Sequence, residues 1–344
     1  MILSMKEGEN MVYSAPENSA ADIGKTAQVP AADPANPNVP DNTDKQRLKH
    51  IEASLRTKYK HKIFNKFVQA ICDYDLVRPH DRIAVCISGG KDSTLLAKLF
   101  QELKRRNKIP FEVTYLCMDP GFAEYNLNVI KENAKLLNLP IIYRQTKIFD
   151  NVFHVEQSPC YLCAKMRRGF LYRFAQELGC NKIALGHHFN DIIETTVMSM
   201  LFGGEIRTMM PKVKSANWKG MELIRPLYYV REDDIKSWRD ENHLTFIRCG
   251  CRFMECMVEP STREEDLSTR QWIKYTIAKL AAANPQVPNN IFHAMENVNL
   301  SVVLKYKLNG KLHSVLDDYE SSAPAEDTPR ATFAEGKSIM LAAQ

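Results

Sequence analysis

The sequence predicts an α/β protein built on a doubly wound parallel sheet, with a helical N-terminal lead-in and a helical C-terminal extension. Three observations predict it. Short apolar runs rich in Ile and Val alternate with segments of helical period; the first run leads straight into Ser88-Gly89-Gly90-Lys91-Asp92-Ser93; and the fourth ends in Gly186-His187-His188-Phe189-Asn190-Asp191. Such alternation implies right-handed strand–helix–strand units whose ligand sites gather at the carboxyl ends of the strands.

In chain order, residues 1–44 combine Pro, Ala, Asn and Asp without apolar periodicity and are expected to form a disordered arm. Residues 45–75 read as a helical lead-in, helical over Leu48–Tyr74. The main domain, 76–255, is expected to run as strand Ile83–Ser88, helix Ser93–Arg106, strand Glu112–Met118, helix Tyr125–Leu137 and strand Pro140–Gln145. It continues with helix Cys163–Leu178, strand Lys182–Gly186, helix Asp191–Phe202 and helix Glu232–Asn242. A helical extension follows over 256–310, and 311–344 resemble the first arm and are expected to be mostly disordered.

With 344 residues, 44% of them hydrophobic, the chain has ample material for a core. No apolar stretch has the length of a membrane span, and the acidic, weakly apolar N-terminus lacks the pattern of a secretory signal, so a cytoplasmic protein with no membrane association is expected. The odd number of cysteines, nine, and their grouping favour metal, cluster or sulfur chemistry in a reducing compartment over a disulfide framework. Net charge is only +5, but Arg56, Lys58, Lys60, Lys62 and Lys66 fall in one helical stretch, and Lys165, Arg167, Arg168 and Arg173 in another.

The hexapeptide Ser88–Ser93 joins an apolar strand to an apolar-periodic helix. Two glycines permit positive φ and close backbone approach, so successive N–H groups can converge on an anion at a helix N-terminus. Ser88 and Ser93 add hydroxyls, Lys91 a mobile positive charge and Asp92 a carboxylate. The spacing is not that of a Walker A loop. Two further strand ends carry candidate nucleotide contacts: Met118, before Asp119-Pro120-Gly121, and Gly186 with Asp191.

The loop is similar to that of the PP-loop ATP pyrophosphatases, which have the adenine nucleotide alpha-hydrolase-like fold and transfer AMP to a carbonyl or ureido oxygen. The resemblance implies that Ser88, Gly89, Gly90, Lys91, Asp92 and Ser93 hold the pyrophosphate end of ATP. It also implies that Met118 and Gly186 border the nucleotide, and that Asp191 lies near Mg²⁺ and the reacting phosphate. Lys91 and Asp191, together with Cys160 and Cys163, become the expected catalytic residues.

Cys160-Tyr161-Leu162-Cys163 precedes a basic helix, and Cys249-Gly250-Cys251 follows the Ile224-Arg225-Pro226-Leu227 segment. A thiol opening a helix is placed where the dipole favours thiolate, and a CxxC pair suits a cluster, zinc or a redox disulfide. The loop, the CxxC, the LGHHxxD element and the RPL segment, in that order over about Ser54 to Leu304, together resemble the tRNA 2-thiocytidine synthetase family. They are less close to the tRNA 2-thiouridine synthetases. That resemblance implies a [4Fe-4S] cluster held by three cysteines, with one iron open to sulfur. Cys160 and Cys163 carry over directly; Cys251 is the expected third ligand, with Cys249 and then Cys256 as alternatives. Zinc in a thiol site is the rival metal.

The resemblance further implies tRNA as substrate, a cysteine desulfurase or sulfide as sulfur donor, and a second copy of the chain in a homodimer. The basic runs, with Arg207, Lys212, Lys214 and Lys219, are the expected RNA contacts. Rival functions are a ligase or amidase adenylating a small metabolite, a zinc-dependent sulfur carrier, and a non-catalytic tRNA-binding module.

Overall fold

The computed structural model describes residues 42–149, 159–247, 268–317 and 319. The lead-in comprises α1 (Asn42–Arg56), a π-helical turn (Lys60–Phe64) and α2 (Asn65–Asp73). The central domain follows as β1 (Arg82–Ile87), α3 (Lys91–Arg105), β2 (Glu112–Asp119), α4 (Glu124–Leu136) and β3 (Ile141–Gln145). Next come α5 (Pro159–Glu177), β4 (Lys182–Ala184), α6 (Phe189–Gly203), β5 (Lys212–Lys214), β6 (Glu222–Ile224) and α7 (Glu232–Glu241). The C-terminal part holds α8 (Thr269–Ala283), α9 (Val287–Ala294), a single 3-10 turn, and a hairpin of β7 (Lys305–Leu308) and β8 (Lys311–Ser314).

The strands of the main sheet lie in the order β3-β2-β1-β4-β6-β5. All neighbours are parallel except β5 and β6. The chain winds outward through β1, β2 and β3, then crosses back to place β4 on the other side of β1. The topological switch point therefore lies between the carboxyl ends of β1 and β4, where a crevice opens in doubly wound sheets.

Alternation along β1 feeds both faces of the sheet. Ile83, Val85 and Ile87 join Leu95, Leu96, Leu99 and Phe100 of α3 in the larger core, whereas Ala84 and Cys86 pack with Tyr172 and Ala175 of α5. Because β1 is buried on both sides, it reads as a continuous apolar run.

The lead-in is part of the larger core. Ile51, Leu55, Phe64 and Phe67 are buried, and Phe67 meets Phe100 edge to face at 5.5 Å. Lys98 of α3 is fully buried and donates to Glu52 at 2.9 Å, Gln101 at 2.6 Å and the Leu137 carbonyl at 3.1 Å. This one ammonium ties α1, α3 and the end of α4 together.

Two readings of local structure differ from expectation. Helix α5 begins at Pro159, so Cys160 lies within its first turn rather than before it; proline is well placed to start a helix because its missing N–H has no intrahelical acceptor. The extension expected to be helical over 256–310 ends instead in a hairpin whose second strand enters the tail expected to be mostly disordered: Asn309 and Gly310 both have positive φ, which is the chemistry of a tight two-residue turn. Among the described residues no helix is long and apolar enough to cross a membrane.

Candidate active site

A cavity of about 380 Å³ occupies the switch point, lined by Ser88, Asp92, Ser93, Met118, Gly186, His187 and Asp191. Ala164, Arg167 and Arg168 of α5 complete its wall. The expected phosphate loop, the end of β2 and the segment after β4 are thus brought into one space, and the basic part of the cysteine-bearing helix joins them.

The phosphate loop is held by its own side chains. Ser88 N–H donates to Ser93 Oγ at 3.1 Å, the two serine hydroxyls lie 3.1 Å apart, and both Ser93 Oγ and Thr94 Oγ1 donate to the Gly90 carbonyl at 3.1 Å. Gly89 has φ +84°, and a Cβ there would lie 2.7 Å from carbons of Ile130 and Ile247. At Gly186, a Cβ would stand 2.9 Å from Ser93 N and 3.1 Å from Asp92 C, both backbone atoms. The absence of that carbon lets the strand end pass against the start of α3.

Lys91 is placed by two acids. Its Nζ is 3.1 Å from Asp92 Oδ2 and 3.2 Å from Glu232 Oε1 of α7. Burial would lower its pKa, but the two carboxylates outweigh burial and raise it, so the ammonium is firmly charged. Asp92 Oδ1 is buried and has no hydrogen-bond partner among the described residues; His188 Nε2 stands 3.8 Å away.

Asp191 is gripped from both sides. The His188 backbone N–H donates to its Oδ2 at 2.9 Å, and Arg270 Nη2 of α8 donates to its Oδ1 at 2.6 Å. Arg270 also donates from Nε to Glu194 Oε2 at 3.1 Å. One turn later, Lys274 donates to Glu232 Oε2 at 2.6 Å. Glu232 accepts a third lysine, Lys236, at 3.1 Å, and burial, which opposes ionisation, is overcome by these ammonium groups, so its pKa falls to about 2.

His187, at the cavity wall, is held neutral: burial first, and then the charge of Arg225, depress its pKa to about 4. Arg225 itself is buried, donates to the Met210 carbonyl, and has its pKa lowered by burial to about 10.

Sequence reasoning missed Glu232, Arg270 and Lys274 as parts of the site. Arg270 and Lys274 are four apart on one helix and so share a face, which is a local signal; nothing local says which acids that face meets. Of the expected metal ligands, Cys160 falls in the first turn of α5 and Cys163 opens the second, buried and directly before the cavity-lining Ala164. Cys249, Cys251 and Cys256 lie outside the described residues, and no group of three His, Cys, Asp or Glu suited to a metal occurs among those described.

The expected RNA contacts divide in two. Arg167 and Arg168 line the cavity, whereas three lead-in cations face acids of the protein itself: Arg56 pairs with Glu52 and Glu102, and the exposed Lys58 and Lys62 with Glu241 and Asp234. Lys212 likewise faces Asp75 and Glu222, and Arg207 faces Glu205.

A mostly parallel sheet with a glycine-rich anion loop and a carboxylate across its switch point defines an α/β protein of the nucleotide-binding class. Residues 55–249 match the model of the PP-loop domain, and the chain belongs to that family. It is 33% identical over 272 residues to a tRNA-cytidine(32) 2-sulfurtransferase of Anaeromyxobacter dehalogenans, covering 77% of this chain and 89% of that one. It is 35% identical over 240 residues to the protein of the same name from Legionella pneumophila, covering 69% and 81%. Among solved structures, the U34-tRNA thiolase NcsA from Methanococcus maripaludis with its [4Fe-4S] cluster superposes with a TM-score of 0.53 at 18% identity, over 74% of this chain and 81% of that one; it shares the fold.

Proposed function

We propose that this enzyme thiolates tRNA at the expense of ATP, converting a cytidine to 2-thiocytidine. One observation carries the reading. One cavity is lined by Ser88, Asp92 and Ser93 of the phosphate loop, by Gly186, His187 and Asp191, and by Arg167 and Arg168 of the helix that carries Cys160 and Cys163. The kinship with tRNA-cytidine(32) 2-sulfurtransferases supports the choice of substrate and base.

Ser88–Ser93 receives the β- and γ-phosphates of ATP at the N-terminus of α3, with Met118 beside the adenosine and Gly186 giving the backbone its close approach. The O2 of the cytidine attacks the α-phosphorus; the bond to pyrophosphate breaks, and an adenylated base results. A sulfur nucleophile then adds at C2 and AMP leaves with the former base oxygen. Lys91 offsets negative charge as pyrophosphate departs, and Arg167 and Arg168 offer cations to the RNA phosphates at the mouth.

The buried, unpartnered Asp92 Oδ1 and the carboxylate of Asp191 fit a Mg²⁺ ion, which would neutralise the triphosphate. The first turn of α5 suits a thiolate-bound group, because a helix N-terminus favours the ionised thiol. Cys160, Cys163 and, outside the described residues, Cys251 or Cys249 would hold a [4Fe-4S] cluster. When bound, that cluster supplies an iron free to carry sulfur. A cysteine desulfurase or sulfide is the donor, the cytoplasm the compartment, and a homodimer the assembly.

Nucleoside mass spectrometry of tRNA from cells lacking the gene should show 2-thiocytidine absent, restored by the wild-type gene and not by Lys91→Ala. An unchanged nucleoside profile overturns the reading. For the metal, anaerobically purified protein should carry iron and labile sulfide in equal amounts and lose both in Cys163→Ser. A colourless protein with stoichiometric zinc would replace the cluster with the rival site.

A further inference from the structure

Glu232 accepts three lysines from three elements: Lys91 of α3 at 3.2 Å, Lys274 of α8 at 2.6 Å and Lys236 of α7 itself at 3.1 Å. It is 7% exposed, and its backbone N–H donates to Asn190 Oδ1 at 3.0 Å, beside Asp191. Lys91 engages Oε1, while Lys274 and Lys236 engage Oε2. The two sides of the carboxylate therefore face different partners. On the Oε2 side, Lys236, Lys274 and Glu232 line a second cavity of about 540 Å³ between α6, α7, α8 and α9. Glu232 thus stands between the lysine of the phosphate loop and two further lysines that line this second cavity.

A buried carboxylate with a single cation would hold that cation tightly, because losing it leaves an uncompensated charge. With two further lysines on its other oxygen, the same carboxylate can release the first at much smaller cost. We infer that Glu232 is a positioning residue for Lys91: it parks the ammonium while no triphosphate is bound, and Lys274 and Lys236 neutralise it when Lys91 moves to phosphate. The C-terminal helix α8, which lies beyond the matched PP-loop domain, thereby sets how readily the phosphate loop accepts ATP.

The inference rests on the proposed role of Lys91 in holding the β- and γ-phosphates, and it makes two substitutions at residues remote from the nucleotide act in opposite directions. Glu232→Gln removes the competitor for Lys91 and should tighten binding of α,β-methylene ATP with Mg²⁺ by about fivefold. Lys274→Gln removes a compensating cation and should weaken it by about fivefold; both changes are of the size expected of one partly buried ion pair. AMP, which lacks the phosphates that Lys91 meets, should bind all three proteins alike. In the double variant, Lys274→Gln should have no further effect, since it acts only through Glu232.

Isothermal titration calorimetry of the full chain reads all of these. A general field effect of the lost charge would leave Lys274→Gln with its full penalty in the Glu232→Gln background, and that result overturns the inference. So do equal changes for AMP and the ATP analogue, or two single substitutions of the same sign. Lys91→Ala separates the two levels of the argument: if it binds the analogue as well as wild type does, the reading of the phosphate loop has failed; if it loses binding but the opposed signs are missing, only the role of Glu232 has.

Discussion

His187 and Arg270 show how single side chains are conditioned by neighbours the backbone alone brings close. His187 is neutral because it is buried and faces the Arg225 charge. Its folded pKa of about 4 lies below the ordinary 6.5, so the unfolded chain binds a proton more readily. Stability from this group is intact above pH 6.5 and declines as pH falls toward 4. Urea unfolding of His187→Gln should therefore show a shallower loss between those pH values than the wild type, whatever its absolute stability. Arg270 forks across Asp191 and Glu194, and Glu194 is buried, which raises its pKa despite that partner. Arg270→Gln leaves the Asp191 carboxylate facing only His188, through its backbone N–H at 2.9 Å and its ring Nδ1 at 3.5 Å, among the described residues. Pyrophosphate release should slow about tenfold, or ~1.4 kcal/mol in the barrier, with a changed Mg²⁺ dependence as the sign that Asp191 is involved.

Among elements, α3 depends on what surrounds each of its ends. At its start, Gly186 passes so near that one methyl group would meet the Ser93 and Asp92 backbone at about 3 Å. Gly186→Ala should cost about 1–3 kcal/mol as the β4 end is forced away, and ATP affinity should fall with it, measurable by thermal unfolding with and without nucleotide. Further along, Lys98 is fully buried with its ammonium shared among Glu52, Gln101 and the Leu137 carbonyl. Lys98→Ala deletes the cation, leaves Glu52 to Arg56 alone and the Leu137 carbonyl without this donor, and should destabilise the fold by about 1–3 kcal/mol in denaturant titration. Lys98→Met, similar in length and without charge, should lose less. The lead-in helix was visible in the sequence, but its attachment by a buried lysine was not, because a lysine in an amphipathic stretch reads as surface.

Across the whole molecule, the charge that would meet RNA is narrower than the sequence implied. Arg167 and Arg168 stand at the nucleotide cavity, while Arg56, Lys58 and Lys62 are drawn into pairs with acids of α1, α3 and α7. Arg168→Ala should weaken tRNA binding and reduce the slope of log affinity against log salt by about 1, whereas Lys58→Ala and Lys62→Ala should change neither appreciably. Filter binding over a salt series decides it.

Local chemistry was enough to read the phosphate loop, the α/β alternation and the basic helix after the CxxC, because each is specified by neighbouring residues: glycines before a helix, apolar runs of strand length, thiols beside an amphipathic stretch. The same local rules misplaced the end of the C-terminal part, since the turn at Asn309-Gly310 separates two strands too short and polar to show a period-two pattern. Only the tertiary structure could reveal that Glu232 faces Lys91 and that Arg270 faces Asp191. The chain's reversal of direction at β4 folds α6, α7 and α8 back over the loop after β1. Ion pairs made by that crossing join residues far apart in sequence, and charge carries no local mark of the partner it will meet.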